Sequence, residues 1–351
     1  MSYTKRDAQM TRGLAILCMV ILHLFCRVGS DVLGTPLLWL NDTTPVVFFL
    51  GFFAEICVPL YSICAGYAQA LLLESGKSSF VDRGRRILRL MGNYWIVLGL
   101  FCVLGLLFDP EGNIPGTMGH FAKSIFLLHS YNGAWWYLNT YVLLMLLPPE
   151  TLFLPVRKLK LIPGLVFCGG FHVLWYLAEK LGFIPSGADW GPVLQFARKE
   201  LVNLMGILPC VWVGGFLCRF RVMDTLGECY RHHLSPNRRK TVLLVLAILL
   251  FVGMNAVHKS VLMAPAALAV FLLFNLWEKG PRTQAAMLFL GKHSTNIWLV
   301  HMFFYAYFLK GLVLPLRYPL LMLGALLAWS VAASWVIQKI QMGIARIRIV
   351  L

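Results

Sequence analysis

The sequence predicts an all-α fold, a polytopic transmembrane helical bundle of about ten helices with the N- and C-termini in the cytoplasm. Three observations carry the prediction. The 351 residues are 59% hydrophobic and only 13% charged, with a mean hydropathy of +0.73, whereas a soluble globular chain is roughly 25% charged. Apolar runs long enough to cross a bilayer recur along the whole length, and Lys and Arg gather in alternate connecting segments. Lipid is then the solvent for most of the surface. The length fits many spans of about 20 residues and no further soluble domain of ordinary size, so residues 1–351 are expected to form a single membrane domain.

In order, the runs long enough to span lie at about 13–33, 45–73, 91–108, 134–154, 161–179, 200–218, 241–257, 260–277, 286–309 and 312–338. Without water in the bilayer core, only helices and closed barrels satisfy their own backbone groups. The run lengths and the lack of period-2 alternation exclude the barrel. The first run, Gly13 to Phe25, follows Lys5, Arg6 and Arg12 as a signal peptide would. No A-x-A cleavage pattern follows it and many more spans do, so it is read as a retained first helix. The fourth run opens on Trp135, Trp136 and Tyr137, and the seventh and eighth meet at His258 and Lys259. The outer loops Asp31 to Thr44, Asp109 to Gly133 and Lys180 to Lys199 carry Gly, Pro and aromatic residues. Within the second of these, Lys123 to His129 is expected to form a short interfacial helix.

Charge gives an independent check. With the N-terminus inside, the inner segments hold three Lys and Arg at the start, five at 77–89, three at 157–160, six at 219–240, three at 279–292 and three at the end. That is 23 of the 31, as the positive-inside rule requires, and an odd number of helices would break the alternation. The net charge of +16 is therefore topological, and nucleic acid is excluded as a partner because the basic residues sit in short loops between apolar runs. The nine cysteines show neither metal-ligand nor disulfide-framework spacing; most lie in apolar segments, where a thiol acts as a small hydrophobe. No metal is expected. There is no internal repeat and no pair of broken helices of the kind that marks a transporter.

Polar residues inside the spans are the functional candidates. His23 lies eleven residues after Arg12, roughly 16 Å along a helix axis and about half the hydrocarbon thickness. Eleven residues is close to three turns, so both side chains share a face. The alternative for His23 is a neutral hydrogen bond to a neighbouring helix. In Asp82-Arg-Gly-Arg-Arg-Ile-Leu-Arg-Leu90, Arg86 and Arg89 stand at i, i+3 on the inner start of the third helix. Paired guanidinium forks suit phosphate, and they equally suit lipid headgroups. Glu55, four residues before Pro59, is a candidate to orient a histidine, and His301 a second proton-handling group. His172, Asn203 and Asn255 read as structural hydrogen bonders. Trp135 and Trp136 read as an aromatic belt at the outer interface, with stacking on a sugar as the alternative.

Together these segments resemble the acyltransferase 3 family of bacterial membrane acyltransferases. The resemblance rests on Arg12-Gly-Leu-Ala-Ile-Leu-Cys-Met-Val-Ile-Leu-His23, on Val58-Pro-Leu-Tyr-Ser-Ile-Cys-Ala-Gly-Tyr67, and on the R-x-x-R of Arg86 to Arg89. Trp135-Trp136-Tyr137 and Leu290-Gly-Lys-His-Ser294 through His301 resemble the family's later segments. Ala65 stands where the family usually has Ser, and Met91-Gly92 where it often has a proline.

The resemblance implies an O-acyltransferase in a bacterial plasma membrane. Its donor would be a cytoplasmic acyl-CoA, acetyl-CoA by family habit, and its acceptor a hydroxyl of an extracytoplasmic carbohydrate or other cell-envelope molecule. Arg12, Arg86 and Arg89 would then neutralise the CoA phosphates. His23, whose unperturbed pKa is near 6.5, would act as general base or accept the acyl group itself. No soluble domain follows the tenth helix, so acyl delivery is expected to finish within the bundle or with a partner protein. Two other readings stand beside this one. A proton-coupled transporter or flippase-like permease uses intramembrane His and Glu equally well, and a membrane scaffold uses them only to hold helices together. Binding of CoA discriminates among the three. The acyl chain, the acceptor and the oligomeric state are not written in the sequence.

Overall fold

A run of apolar residues in lipid becomes a helix because no other single segment pairs all of its N–H and C=O groups. The computed structural model, which describes residues 3–28, 38–41, 44–109 and 112–350, with side chains to residue 344, follows that rule. It contains α1 (Lys5–Phe25), α2 (Val47–Phe53), α3 (Cys57–Glu74), α4 (Phe80–Phe108), α5 (Met118–Ile125), α6 (Trp136–Leu146), α7 (Pro149–Leu152) and α8 (Leu154–Lys158). The remainder comprises α9 (Leu161–Lys180), α10 (Pro192–Arg219), α11 (Val222–His233), α12 (Pro236–Val257), α13 (Met263–Leu276), α14 (Pro281–Phe303), α15 (Lys310–Val313) and α16 (Pro319–Val350). Among the described residues there is no strand; one isolated bridge joins Trp39 to Pro45.

Among the described residues, seven helices are long and apolar enough to cross a membrane, and an eighth span arises if the pair Pro281–Phe308 and Lys310–Leu316, bent by 85°, counts as one. Eight of the ten expected spans are thereby accounted for, and the other two are shorter than drawn. The fourth stops at Leu146 because Leu147-Pro148-Pro149 follows. A residue before proline is pushed out of the helical region, and Pro148 itself is extended at φ −58°, ψ 127°. The eighth spans Ser260–Leu276, 17 residues, and is parted from α12 by a left-handed His258, φ 54°. The last span begins at Pro319 instead of 312 because the bent segment intervenes. The expected interfacial helix forms earlier, at Met118–Ile125, where the Thr117 side chain accepts a hydrogen bond from the His120 amide as N-cap. Most of the expected outer loop Asp31 to Thr44, the end of the first span at 33, and residues 110–111 lie outside the described residues.

Two compact units are present, and each draws on three separated stretches of chain, so no single cut in the sequence parts them. One comprises Met1–Cys18, Phe53–Arg83 and Thr140–Lys292. Its helices approach through glycine: a methyl group at Gly291 of α14 would sit 1.9 Å from the Gln9 carbonyl oxygen of α1, and one at Gly13 would sit 2.1 Å from that of Met287. Small residues at a crossing let backbones touch, which is how helices gain packing energy where lipid is as apolar as leucine. Arg83 is buried here and donates to the carbonyls of Met145 (3.2 Å) and Leu147 (2.5 Å). Those carbonyls close α6, and the prolines that follow cannot supply them with amides. Thr11 and Asn275 are also buried and hydrogen-bonded, 3.3 Å.

The other unit comprises Met19–Phe52, Gly84–Asn139 and His293–Leu351. Its apolar centre is aromatic. Phe101 of α4 stacks on Phe303 of α14 with centroids 4.2 Å apart, and Trp135 packs edge-on against both Tyr94 and Phe303. Aromatic pairs in such offset or edge geometries add to simple burial. All the residues of the candidate site described next belong to this second unit.

Candidate active site

His23 lies in the last turn of α1 and His301 in the last turn of α14. His301 is fully buried and His23 partly so. The two rings meet: His301 Nε2 is 2.8 Å from His23 Nδ1, with centroids 4.9 Å apart. The far nitrogen of His301, Nδ1, lies 2.9 Å from the Ile297 carbonyl and 3.0 Å from that of Trp298.

Hydrogen-bond logic then assigns the protons along the chain. A carbonyl oxygen only accepts, so His301 Nδ1 must carry the hydrogen. In a neutral imidazole the other nitrogen is then an acceptor, so His301 Nε2 accepts from His23 Nδ1–H. His23 Nε2 is left with its lone pair. Two backbone carbonyls thus fix the tautomers of two rings and leave one basic nitrogen at the end of the relay, where the ring is still partly accessible.

The surroundings hold the relay still. Asn132 Nδ2 and Trp135 Nε1 both donate to the Leu299 carbonyl, at 3.1 and 3.0 Å, and Trp298 Nε1 donates to the Ala134 carbonyl at 2.9 Å. The start of α6 is therefore pinned to the turn of α14 that carries His301. Trp135 is 2% exposed, which makes it a brace for His301 and removes it from the expected aromatic belt; Trp136 beside it is partly exposed.

A second pair lies beyond the histidines. Arg27 donates through Nε to the His23 carbonyl (3.2 Å) and through Nη2 to the Tyr305 hydroxyl. Tyr305 belongs to a π-helical stretch, Phe304–Phe308, closed by the Leu309 amide on the Phe304 carbonyl at 2.7 Å. Such widened turns recur at functional sites.

On the other side of the pair, in sequence, lies a buried polar network. Asn93 Nδ2 donates to Asn296 Oδ1 (2.6 Å), Asn296 Nδ2 to Ser334 Oγ (2.9 Å), and Gln341 Nε2 to Asn93 Oδ1 (2.7 Å). His293 Nδ1 lies 2.8 Å from Ser334 Oγ. Asn93 follows Arg86 and Arg89 by seven and four residues on α4, so all three share one helical face. Sequence reasoning missed this network, although Asn93 interrupts an apolar run and Asn296 lies inside a segment already singled out.

Of the other expected site residues, Arg86 is half-buried and Arg89 exposed in the first three turns of α4. Arg12 is exposed on α1 in the first unit, where its carbonyl accepts from the Tyr61 hydroxyl at 3.4 Å. Glu55 is half-buried in the 3-10 turn Ala54–Ile56 that joins α2 to α3, also in the first unit. Among the described residues, the partner of His23 Nδ1 is His301 Nε2. His172 and Asn255 bond to the carbonyls of Val261 and Phe251, both at 2.9 Å, as structural groups.

No curated protein and no solved structure matches the chain. The acyltransferase 3 family model, described as an acyltransferase domain, matches residues 8–339 and so takes in α1 with His23, the arginines of α4 and α14 with His301. A match over nearly the whole chain, on a multi-pass helical membrane protein, places this chain in the acyltransferase 3 family.

Proposed function

We propose that this protein transfers an acyl group, acetyl in the simplest case, from cytoplasmic acyl-CoA to a hydroxyl of an extracytoplasmic carbohydrate or related cell-envelope molecule. The observation that carries the reading is the hydrogen-bond chain from the Ile297 and Trp298 carbonyls through His301 to His23. It presents one basic nitrogen, oriented from behind, as general-base chemistry requires.

In the reaction, His23 Nε2 takes the proton of the acceptor hydroxyl as its oxygen attacks the thioester carbonyl carbon. The C–O bond forms, the C–S bond breaks, and the CoA thiolate leaves and recovers the proton from His23. While protonated, His23 keeps its Nδ1–H on His301 Nε2. His301 in turn leans on two carbonyl dipoles, which favour the passing positive charge without any carboxylate. Arg86 and Arg89, one helical face with Asn93, are the anchor for the donor's phosphates. Guanidinium forks match phosphate oxygens two at a time.

A proton-coupled permease would use the same paired histidines, so the test turns on the donor. Acetyl-CoA binding to purified protein in detergent is measured for the wild type and for Arg86→Ala/Arg89→Ala. The enzyme reading expects wild-type binding and a loss of roughly tenfold or more in the double variant. A folded wild type that binds no acetyl-CoA contradicts it in favour of the permease.

A further inference from the structure

We infer that the acceptor is anionic: a carboxylate or phosphate on it is gripped by Arg27 and Tyr305 while its hydroxyl reaches His23. This inference rests on the acyltransferase reading above and names the acceptor class for that same site.

The geometry has two levels. Arg27 follows His23 by four residues, and Tyr305 follows His301 by four. The Arg27–Tyr305 pair therefore stands about one turn beyond the histidine pair on the same two segments. The guanidinium carbon lies 5.0 Å from the Tyr305 ring centroid. Both partners of Arg27, the His23 carbonyl and the Tyr305 hydroxyl, are neutral. Among the described residues Arg27 pairs with no carboxylate.

A half-buried guanidinium with only neutral partners is costly in a medium of low dielectric, and an anionic ligand offsets that cost. The donors for one are at hand. Arg27 has five N–H groups, and its bonds to His23 and Tyr305 use two of them. The Tyr305 hydroxyl accepts from Arg27, so its own hydrogen is directed elsewhere. A planar fork beside a hydroxyl donor is complementary to two oxygens of one carboxylate or phosphate. The donor's phosphates have the arginines of α4, and Arg27 stands at the C-terminal end of α1, beyond His23 from Arg12. The group left for Arg27 is one that the acceptor brings.

The test uses the full-length protein with acetyl-CoA and three sugars, glucose, glucuronate and glucose 6-phosphate, and follows both acylation of the sugar and any slowing of acetyl-CoA hydrolysis by it. The wild type is expected to favour the charged sugars by at least roughly tenfold in one of these readouts, the size of one charge-assisted bidentate contact. The two charged sugars tell a carboxylate from a phosphate. Arg27→Gln should cut that preference about tenfold and Arg27→Lys should keep part of it. Tyr305→Phe, which leaves the cation in place, should lower it more mildly. Three results overturn the proposal. The wild type treats charged and neutral sugars alike, or no charged sugar is acylated or slows hydrolysis. Alternatively, Arg27→Gln lowers reaction with all three sugars by one common factor, which would put Arg27 on the developing oxyanion instead. A wild type with no acetyl-CoA turnover at all contradicts the acyltransferase reading itself, a failure distinct from the other three.

Discussion

Two imidazoles in series do different work because their outer nitrogens face different partners. His301 is held by carbonyls and His23 ends the relay; in the proposed reaction the first is the positioning residue and the second the base. His301→Ala is therefore expected to lower kcat roughly 100-fold or more and to leave the KM for acetyl-CoA nearly unchanged, since the proposal gives the phosphates to the arginines of α4. A KM that rises with kcat intact would mean that His301 serves binding. Both histidines were legible in the sequence because an ionisable side chain in mid-span stands out against apolar neighbours. Their pairing was not, because it depends on the register of α1 against α14, residues 278 apart in the chain. Trp135 was misread for a related cause: an aromatic opening an outer helix end looks alike whether it faces lipid or a buried carbonyl.

At the scale of the element, the helices are set by glycine approaches, proline breaks and buried polar bridges. Two alanine substitutions separate packing from propensity. Gly253→Ala on α12 adds a methyl that meets nothing within 4 Å, so the better helix propensity of alanine should leave stability unchanged or raise it by up to about 1 kcal/mol. Gly291→Ala on α14 meets the Gln9 carbonyl at 1.9 Å and should cost about 1–3 kcal/mol. Thermal unfolding in detergent reads both, and a stabilising Gly291→Ala would refute the close approach. Asn93→Ala leaves Asn296 and Gln341 each short of a partner and should cost about 1 kcal/mol by the same assay. Helix ends were legible where chemistry marks them, as at His258-Lys259, and missed where hydropathy ran on past Pro148. An apolar count does not register that a proline pair removes two amide donors.

At the scale of the whole molecule, the charge pattern and the exposed surface agree. In the most apolar 18-residue stretch of each of α9 and α12 only 11% of the residues are buried, with Ile162, Val166, Leu174, Leu244 and Leu249 exposed, as befits helices solvated by lipid. The positive-inside expectation, which the vesicle experiment below tests, is that 219–240 is cytoplasmic, and this segment holds Cys229, the only exposed cysteine of the nine. A membrane-impermeant maleimide should thus label Cys229 in inside-out vesicles and spare it in sealed right-side-out ones. Labelling from the outside would invert the topology and with it the side from which the donor arrives. The helical, multi-pass character was readable because it follows from the recurrence of apolar runs along the chain. The division into two units was not, since each is assembled from three stretches that only tertiary packing brings together.

The most direct test of the account is release of CoA thiol from acetyl-CoA by the purified wild type and by His23→Ala, each first shown to bind acetyl-CoA. The account predicts steady thiol release by the wild type and none above background by His23→Ala at equal occupancy. Equal release by the two proteins would remove His23 from the chemistry, and the relay behind it would lose its function.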